Sequence, residues 1–134
     1  NKIWDLRVVN IRDVAEDIER DRIYLPIEDL KRYGISENDL RNGKDILKHP
    51  GWKPFVSEFI SRADKYRERG VKLFPLLDKS RRYSPAAMTT FYHSIMKKIE
   101  KNDGDVFSER TQLSKTEKIG LAAYIYVRYR FFAL

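Results

Sequence analysis

Asp13 and Asp17 stand four residues apart in the run from Asn10 to Asp17, Asn-Ile-Arg-Asp-Val-Ala-Glu-Asp. On a helix, positions i and i+4 share a face, so both carboxylates project the same way. Two anions so placed repel unless water screens them or a cation lies between them. Magnesium suits that place, because it takes hard oxygen ligands and binds one or two carboxylates together with substrate phosphates. A phosphate leaving group held through such ions departs with its charge neutralised. The same spacing is common on solvated helices, where Arg12 could simply pair with Glu16. From the pair alone, both readings stay open.

Positioning these residues requires helices. Residues Ile3 to Ile18 read as one helix with Val8, Ile11, Val14 and Ile18 in an apolar stripe. Asp21 to Pro26 breaks the period and ends in proline, which favours an extended or turning backbone. Two short helical turns are expected at Ile27–Tyr33 and Ser36–Arg41, with Gly34 stopping the first and Ser36 capping the second. Three longer helices follow. The first has Pro54 in its opening turn and runs to Gly70 through Phe55, Phe59, Ala63 and Tyr66. The second opens at Ser84-Pro85 and carries Met88, Phe91, Tyr92, Ile95, Met96 and Ile99 on a broad apolar face. The third starts at Ser114, whose spacing to Glu117 is that of a capping box, and runs through Ile119 and Ile125 toward Tyr129. Alternating strand patterns are nearly absent. The fold class is all-α, with residues 1–134 forming a single helical domain.

Composition narrows the function classes. The 134 residues contain no cysteine, which excludes a disulfide framework and any thiolate metal site. His49 and His93 lie far apart and lack acidic ligand spacing around them, so zinc is disfavoured. The net charge of +7 could serve nucleic acid, anionic lipid, a phosphorylated substrate or plain solubility. The densest basic cluster, Lys79-Ser80-Arg81-Arg82-Tyr83, falls in a helix connection, and no nucleic-acid-binding signature is present. Nucleic acid is therefore not favoured as a partner. No apolar run approaches the ~20 residues of a membrane span, and charges interrupt the opening apolar stretch as no secretory signal would. The expected location is cytoplasmic or inside an organelle, not secreted. The aromatic and basic end, Tyr124 to Phe132, reads by default as a packed helix and leaves peripheral membrane contact open.

The longer string from Arg12 to Leu40, RDVAEDIERDRIYLPIEDLKRYGISENDL, resembles squalene, dehydrosqualene and phytoene synthases. Members of that family carry their second aspartate-rich motif in such a helix, followed by a flap of the form Arg-x-aromatic-Leu-Pro. Here the flap is Arg22-Ile23-Tyr24-Leu25-Pro26. The likeness returns at Ser84–Asn102 and in the Val106–Leu121 region, so it covers nearly the whole chain. It implies an isoprenoid-synthase helical fold and head-to-head condensation of two prenyl diphosphates. By position it gives Asp13 and Asp17 a role in binding Mg2+ and a diphosphate. Asn10 and Arg12 would support the substrate there, and Arg22 and Tyr24 would close the site. Plainer roles compete: Tyr24 and Leu25 as loop packing, and Arg22 as the partner of Asp17 or Asp21.

Two departures from the family pattern bear on this. The chain begins just before the second motif, so the first aspartate-rich motif and its cavity wall are absent from it. The expectation is a C-terminal part of the family's domain, inactive by itself. Family members also read Asn-Ile-x-Arg-Asp after a glutamine; here the run is one residue shorter and Arg7 stands at the glutamine position. One lost residue rotates the upstream helix by about 100°, which places Arg7 away from the pocket unless a bulge compensates. A non-catalytic relative acting as a scaffold or accessory subunit is the alternative. Either way, the apolar faces with Met88, Tyr92, Ile95 and Ile99, and with Ile119, Ala122 and Ile125, are expected to meet another polypeptide: the missing half, a second copy or a partner subunit.

Overall fold

The computed structural model describes residues 10–78, 81–108 and 111–131, with side chains described as far as Arg128. Val8, Arg7, Lys79, Ser80 and the end of the aromatic tail lie outside the described residues. Within them there are helices and connections and no strand. In order they are a helical stretch at residues 10–12, α1 (Val14–Glu19), α2 (Ile27–Arg32), α3 (Glu37–Arg41), α4 (Trp52–Val71), α5 (Tyr83–Lys101) and α6 (Lys115–Phe131). Short 3-10 turns occupy Gly43–Lys48 and Phe74–Leu76.

Apolar spacing explains the long helices. Trp52, Phe55, Val56, Phe59, Ile60 and Ala63 bury one stripe of α4, at the i, i+3, i+4, i+7 positions that share a helical face. Helix α5 meets it with Ile95, Met96 and Ile99, and packs on its other side against α6. The short elements each deliver one anchor to the same core, Leu30 from α2, Leu40 from α3 and Ile46 from the 3-10 turn. The Trp52 ring packs against Phe55 and Phe107, at centroid distances of 5.7 and 5.8 Å. Its indole N–H donates to the Gly104 carbonyl at 3.0 Å, fastening the start of α4 to the α5–α6 connection.

Local signals held where a side chain could satisfy the backbone by itself. Ser36 and Asp39 form a reciprocal capping box at α3, and Ser114 and Glu117 form one at α6. Gly34, at φ +71°, ends α2 with the Ile35 amide returning to the Leu30 carbonyl. Helix α4 runs from Trp52 with Pro54 in its first turn, as expected, after a turn in which the Gly51 amide donates to His49 Nδ1 at 3.0 Å. Two other helices differ from the sequence reading. Helix α5 opens at Tyr83, and Ser84 is not its cap. Arg82 fixes that entry instead, donating to the carbonyls of Leu77 and Pro75, each at 2.7 Å. The helix expected over 3–18 is interrupted at Asp13, whose φ of −100° and ψ of 10° leave the helical range.

The apolar faces also divide more finely than expected. Ile95, Ile99 and Ile125 are buried within the chain, whereas Met88 and Ile119 are 47% and 70% exposed. The structure therefore satisfies most of those faces internally and leaves their ends bare.

Candidate functional site

The site begins at the break in the first helix. Consecutive side chains on a regular helix diverge and do not face each other. At Asp13 the backbone leaves the helical range, and Arg12 grips the Asp13 carboxylate with both forks. Arg12 Nε lies 2.7 Å from Oδ1 and Nη2 lies 2.8 Å from Oδ2. Both side chains are less than one-fifth exposed, at 17% and 14%. Bidentate pairing of this kind is the strong form of the arginine–carboxylate contact, and the hydrogen bond to Asp13 holds the Arg12 guanidinium firmly charged. Glu16 adds only a smaller Coulombic pull on Arg12. The expected Arg12–Glu16 surface pair is thus subordinate to a pair with Asp13.

One turn on, Asp17 is pushed above the usual carboxylate range. Burial is the largest cause, the Asp13 charge the next, and Glu16 adds to it; Arg20 and Arg22 pull the other way. Asp13 and Asp17 therefore share one electrostatic field, as their spacing predicts. The pair lacks a third acid: among the described residues no group of three or more histidine, cysteine or acidic side chains is placed to hold a metal.

The backbone then folds back on the acidic turn. The Arg22 amide donates to the Asp17 carbonyl at 2.8 Å, with Asp21 in the left-handed region at φ 55°. Asp21 is fixed in that turn by Arg41 of α3, at 2.8 Å. Arg22 itself is exposed and acts on Asp17 through its field. So of the two pairings considered for Arg22, Asp21 is taken by Arg41. Leu25 is buried at 3% while Tyr24 is 52% exposed, so loop packing is carried by the leucine and not the tyrosine. Asn10 Nδ2 donates to the Tyr24 carbonyl at 3.4 Å, joining the segment before the acids to the flap after them. Arg41 is the member that sequence reading missed. Nothing local marks it, since it meets Asp21 only when α3 folds back.

The other candidates are structural. His93 Nδ1 is 3.3 Å from Asp64 Oδ1, without hydrogen-bond alignment, and burial lowers its basicity. Asp103 pairs with Lys53 at 2.7 Å, and Asp105 accepts from the amides of Phe107 and Ser108, so both serve the α5–α6 loop.

Comparison with known proteins decides the family. The family model described as squalene/phytoene synthase matches residues 7–117. The chain belongs to the squalene/phytoene synthase family. It is 36% identical over 109 residues to a 15-cis-phytoene synthase of Synechocystis, covering 81% of this chain and 32% of that protein. It is 37% identical to a chloroplastic phytoene synthase of Cucumis melo, over 81% of this chain and 25% of the relative. Phytoene synthase 2 of Solanum lycopersicum is 34% identical over 88% of this chain and 37% of its own length. The chain thus spans between a quarter and just over a third of these relatives. The described helices are all-α, as expected of an isoprenoid-synthase fold, and none is long and apolar enough to cross a membrane.

Proposed function

We propose that this chain supplies the second acidic motif and the flap of an active site that condenses two prenyl diphosphates head to head. The observation that carries the reading is the shared field of Asp13 and Asp17. Asp17 is burdened both by burial and by Asp13, a configuration that a cation relieves. The donors present are hard carboxylate oxygens, which suit Mg2+, and a pair supplies only part of its shell. The remaining ligands would come from water, substrate phosphate and another acidic motif. Bound there, Mg2+ supplies positive charge against the diphosphate that leaves.

The chain's own residues have separable tasks. Asp13 and Asp17 would hold the metal, with Arg12 neutralising Asp13 until the metal is bound. Asn10 ties the flap to the site through the Tyr24 carbonyl. Arg22 and Tyr24, both exposed, would close over substrate and exclude water. The 134 residues match about a third of the relatives' length, so the full reaction is assigned to a protein that also carries the remaining wall. On the same reading, the bare ends at Met88 and Ile119 are covered by another polypeptide surface.

The test is condensation of radiolabelled prenyl diphosphates of several chain lengths by the natural protein that contains this chain, with Mg2+ and a reductant. Head-to-head product from the wild type, and its loss in Asp17→Asn, is the expected result. Absence of any such product from the wild-type protein overturns the proposal and favours a non-catalytic scaffold.

A further inference from the structure

The connection from α4 to α5 holds apolar side chains out in solvent. Leu73 and Leu76 are 58% and 81% exposed, and Leu77 and Tyr83 are exposed as well. One exposed leucine needs no explanation, but several gathered on a single connection mark an interaction site. Their exposure is fixed by the backbone. Phe74 is buried and pins the 3-10 turn. The amides of Leu76 and Leu77 donate to the carbonyls of Leu73 and Phe74, each at 3.0 Å. Arg82 donates to the carbonyls of Pro75 and Leu77. The leucines cannot turn inward without breaking those bonds.

Cations flank these leucines. Residues 65–83 contain seven basic side chains against two acids, Glu68 and Asp78. Lys65, Arg69 and Lys72 are exposed and recur every three or four residues toward the end of α4, so they form one ridge that leads to Leu73. Arg62, Lys65, Tyr66 and Arg69 line a shallow recess of about 150 Å³ along that ridge. Past the leucines, Arg81 faces Asp78 at 3.9 Å with both side chains exposed, a pair too solvated to hold either partner. Leucines with a cationic rim match an anionic lipid surface. The apolar tips enter the boundary between headgroups and acyl chains, while lysine and arginine stay with the phosphates. Tyrosine is at home in the same layer. A protein partner fits less well, because the core of such an interface is depleted in charge and built on aromatic anchors.

We propose that the α4–α5 connection is a docking tip for an anionic lipid bilayer. Leu73, Leu76 and Leu77 insert at the headgroup boundary, and Arg69, Lys72 and Arg81 pair with lipid phosphates. The contact is peripheral, since no helix among the described residues is long and apolar enough to cross a membrane. It does not depend on the prenyltransferase reading, because docking is measured without turnover.

The test is flotation of the natural protein that contains this chain with two kinds of vesicle, phosphatidylcholine alone and phosphatidylcholine mixed with phosphatidylglycerol. Wild type should bind the mixed vesicles at least about tenfold more tightly, the scale of a few cations near an anionic surface. The double variant Leu73→Ser, Leu76→Ser should lose about tenfold or more on the mixed vesicles, as buried apolar area is removed. Lys72→Gln with Arg81→Gln should lose about tenfold and weaken the salt dependence. Both double variants should melt as wild type does, because the altered side chains are exposed. A Leu76→Trp protein should be quenched by lipids brominated on the acyl chain. Absence of binding to the mixed vesicles overturns the proposal, as does binding that neither double variant changes. An unquenched tryptophan at position 76 overturns it too. Melting of the leucine variant well below wild type would show that polypeptide covers the tip, and would also overturn it.

Discussion

Arg12 holds both oxygens of the adjacent Asp13 carboxylate, at 2.7 and 2.8 Å. In this arrangement the guanidinium stands in the electrostatic role that a metal ion would share. Arg12→Gln removes that competing cation. Mg2+ affinity measured without substrate should rise about tenfold, equivalent to about 1.4 kcal/mol. Calorimetric titration checks the direction. Unchanged Mg2+ affinity would show that Asp13 is not a metal ligand.

Asp17 gives a pH dependence of definite sign. Its folded pKa lies above the ordinary carboxylate value of ~3.9, so the folded state holds the proton longer than the unfolded chain. The contribution of Asp17 to stability is therefore greatest at low pH and declines as pH rises from ~3.9 through the raised folded value. Mg2+ affinity should increase over the same interval, as the proton leaves the ligand. Asp17→Asn should flatten both trends, which melting and metal titrations across pH 4 to 7 would measure.

The Asn10–Tyr24 bond predicts a flap effect larger than its stability effect. At 3.4 Å the bond is long, so Asn10→Ala should cost at most about 0.5–1 kcal/mol, the low end for one hydrogen bond. Amide exchange at residues 22–25 should nevertheless accelerate, and condensation should slow more than folding suffers. Exchange unchanged in the flap would count against the link.

Two glycines should respond oppositely to alanine. A Cβ on Gly51 would sit 2.0 Å from the Tyr33 carbonyl oxygen, a backbone atom that cannot step aside. Gly51→Ala should destabilise by roughly 1–3 kcal/mol or more, the scale of overpacking. Gly120 lies inside α6 with nothing within 4 Å of its added Cβ. Gly120→Ala should stabilise by about 0.5–1 kcal/mol through helix propensity. Thermal melts of the two variants provide the comparison.

At the start of α6, Ser114→Ala should cost about 1 kcal/mol, typical of a lost cap. Glu117 completes that cap and contacts Lys98 of α5 at 3.1 Å. Its pKa is lowered to about 2, chiefly by the Ser114 backbone hydrogen bond, then by Lys98. Its contribution is present above the unfolded value near 4.5 and is lost as pH falls from there toward about 2. Amide exchange along α6 at pH 5 and pH 3 should show the loosening in wild type and not in Glu117→Gln.

The sequence by itself determined the helical class, the Ser36 cap and the Ser114–Glu117 capping box. Each cap depends on residues within about four positions, where helix geometry converts spacing directly into contact. It also marked Tyr24 and Leu25 as the flap, without dividing their roles between surface and core. Only the tertiary structure decided the break at Asp13, the grip of Arg12 and the Asp21–Arg41 pair. Those relationships join residues from different elements, or depend on a backbone irregularity that propensity does not encode. The start of α4 shows the same division on a small scale. Pro54 marks its first turn locally, while the anchoring of Trp52, whose indole N–H reaches the Gly104 carbonyl and whose ring fills the core, joins residues 52 positions apart.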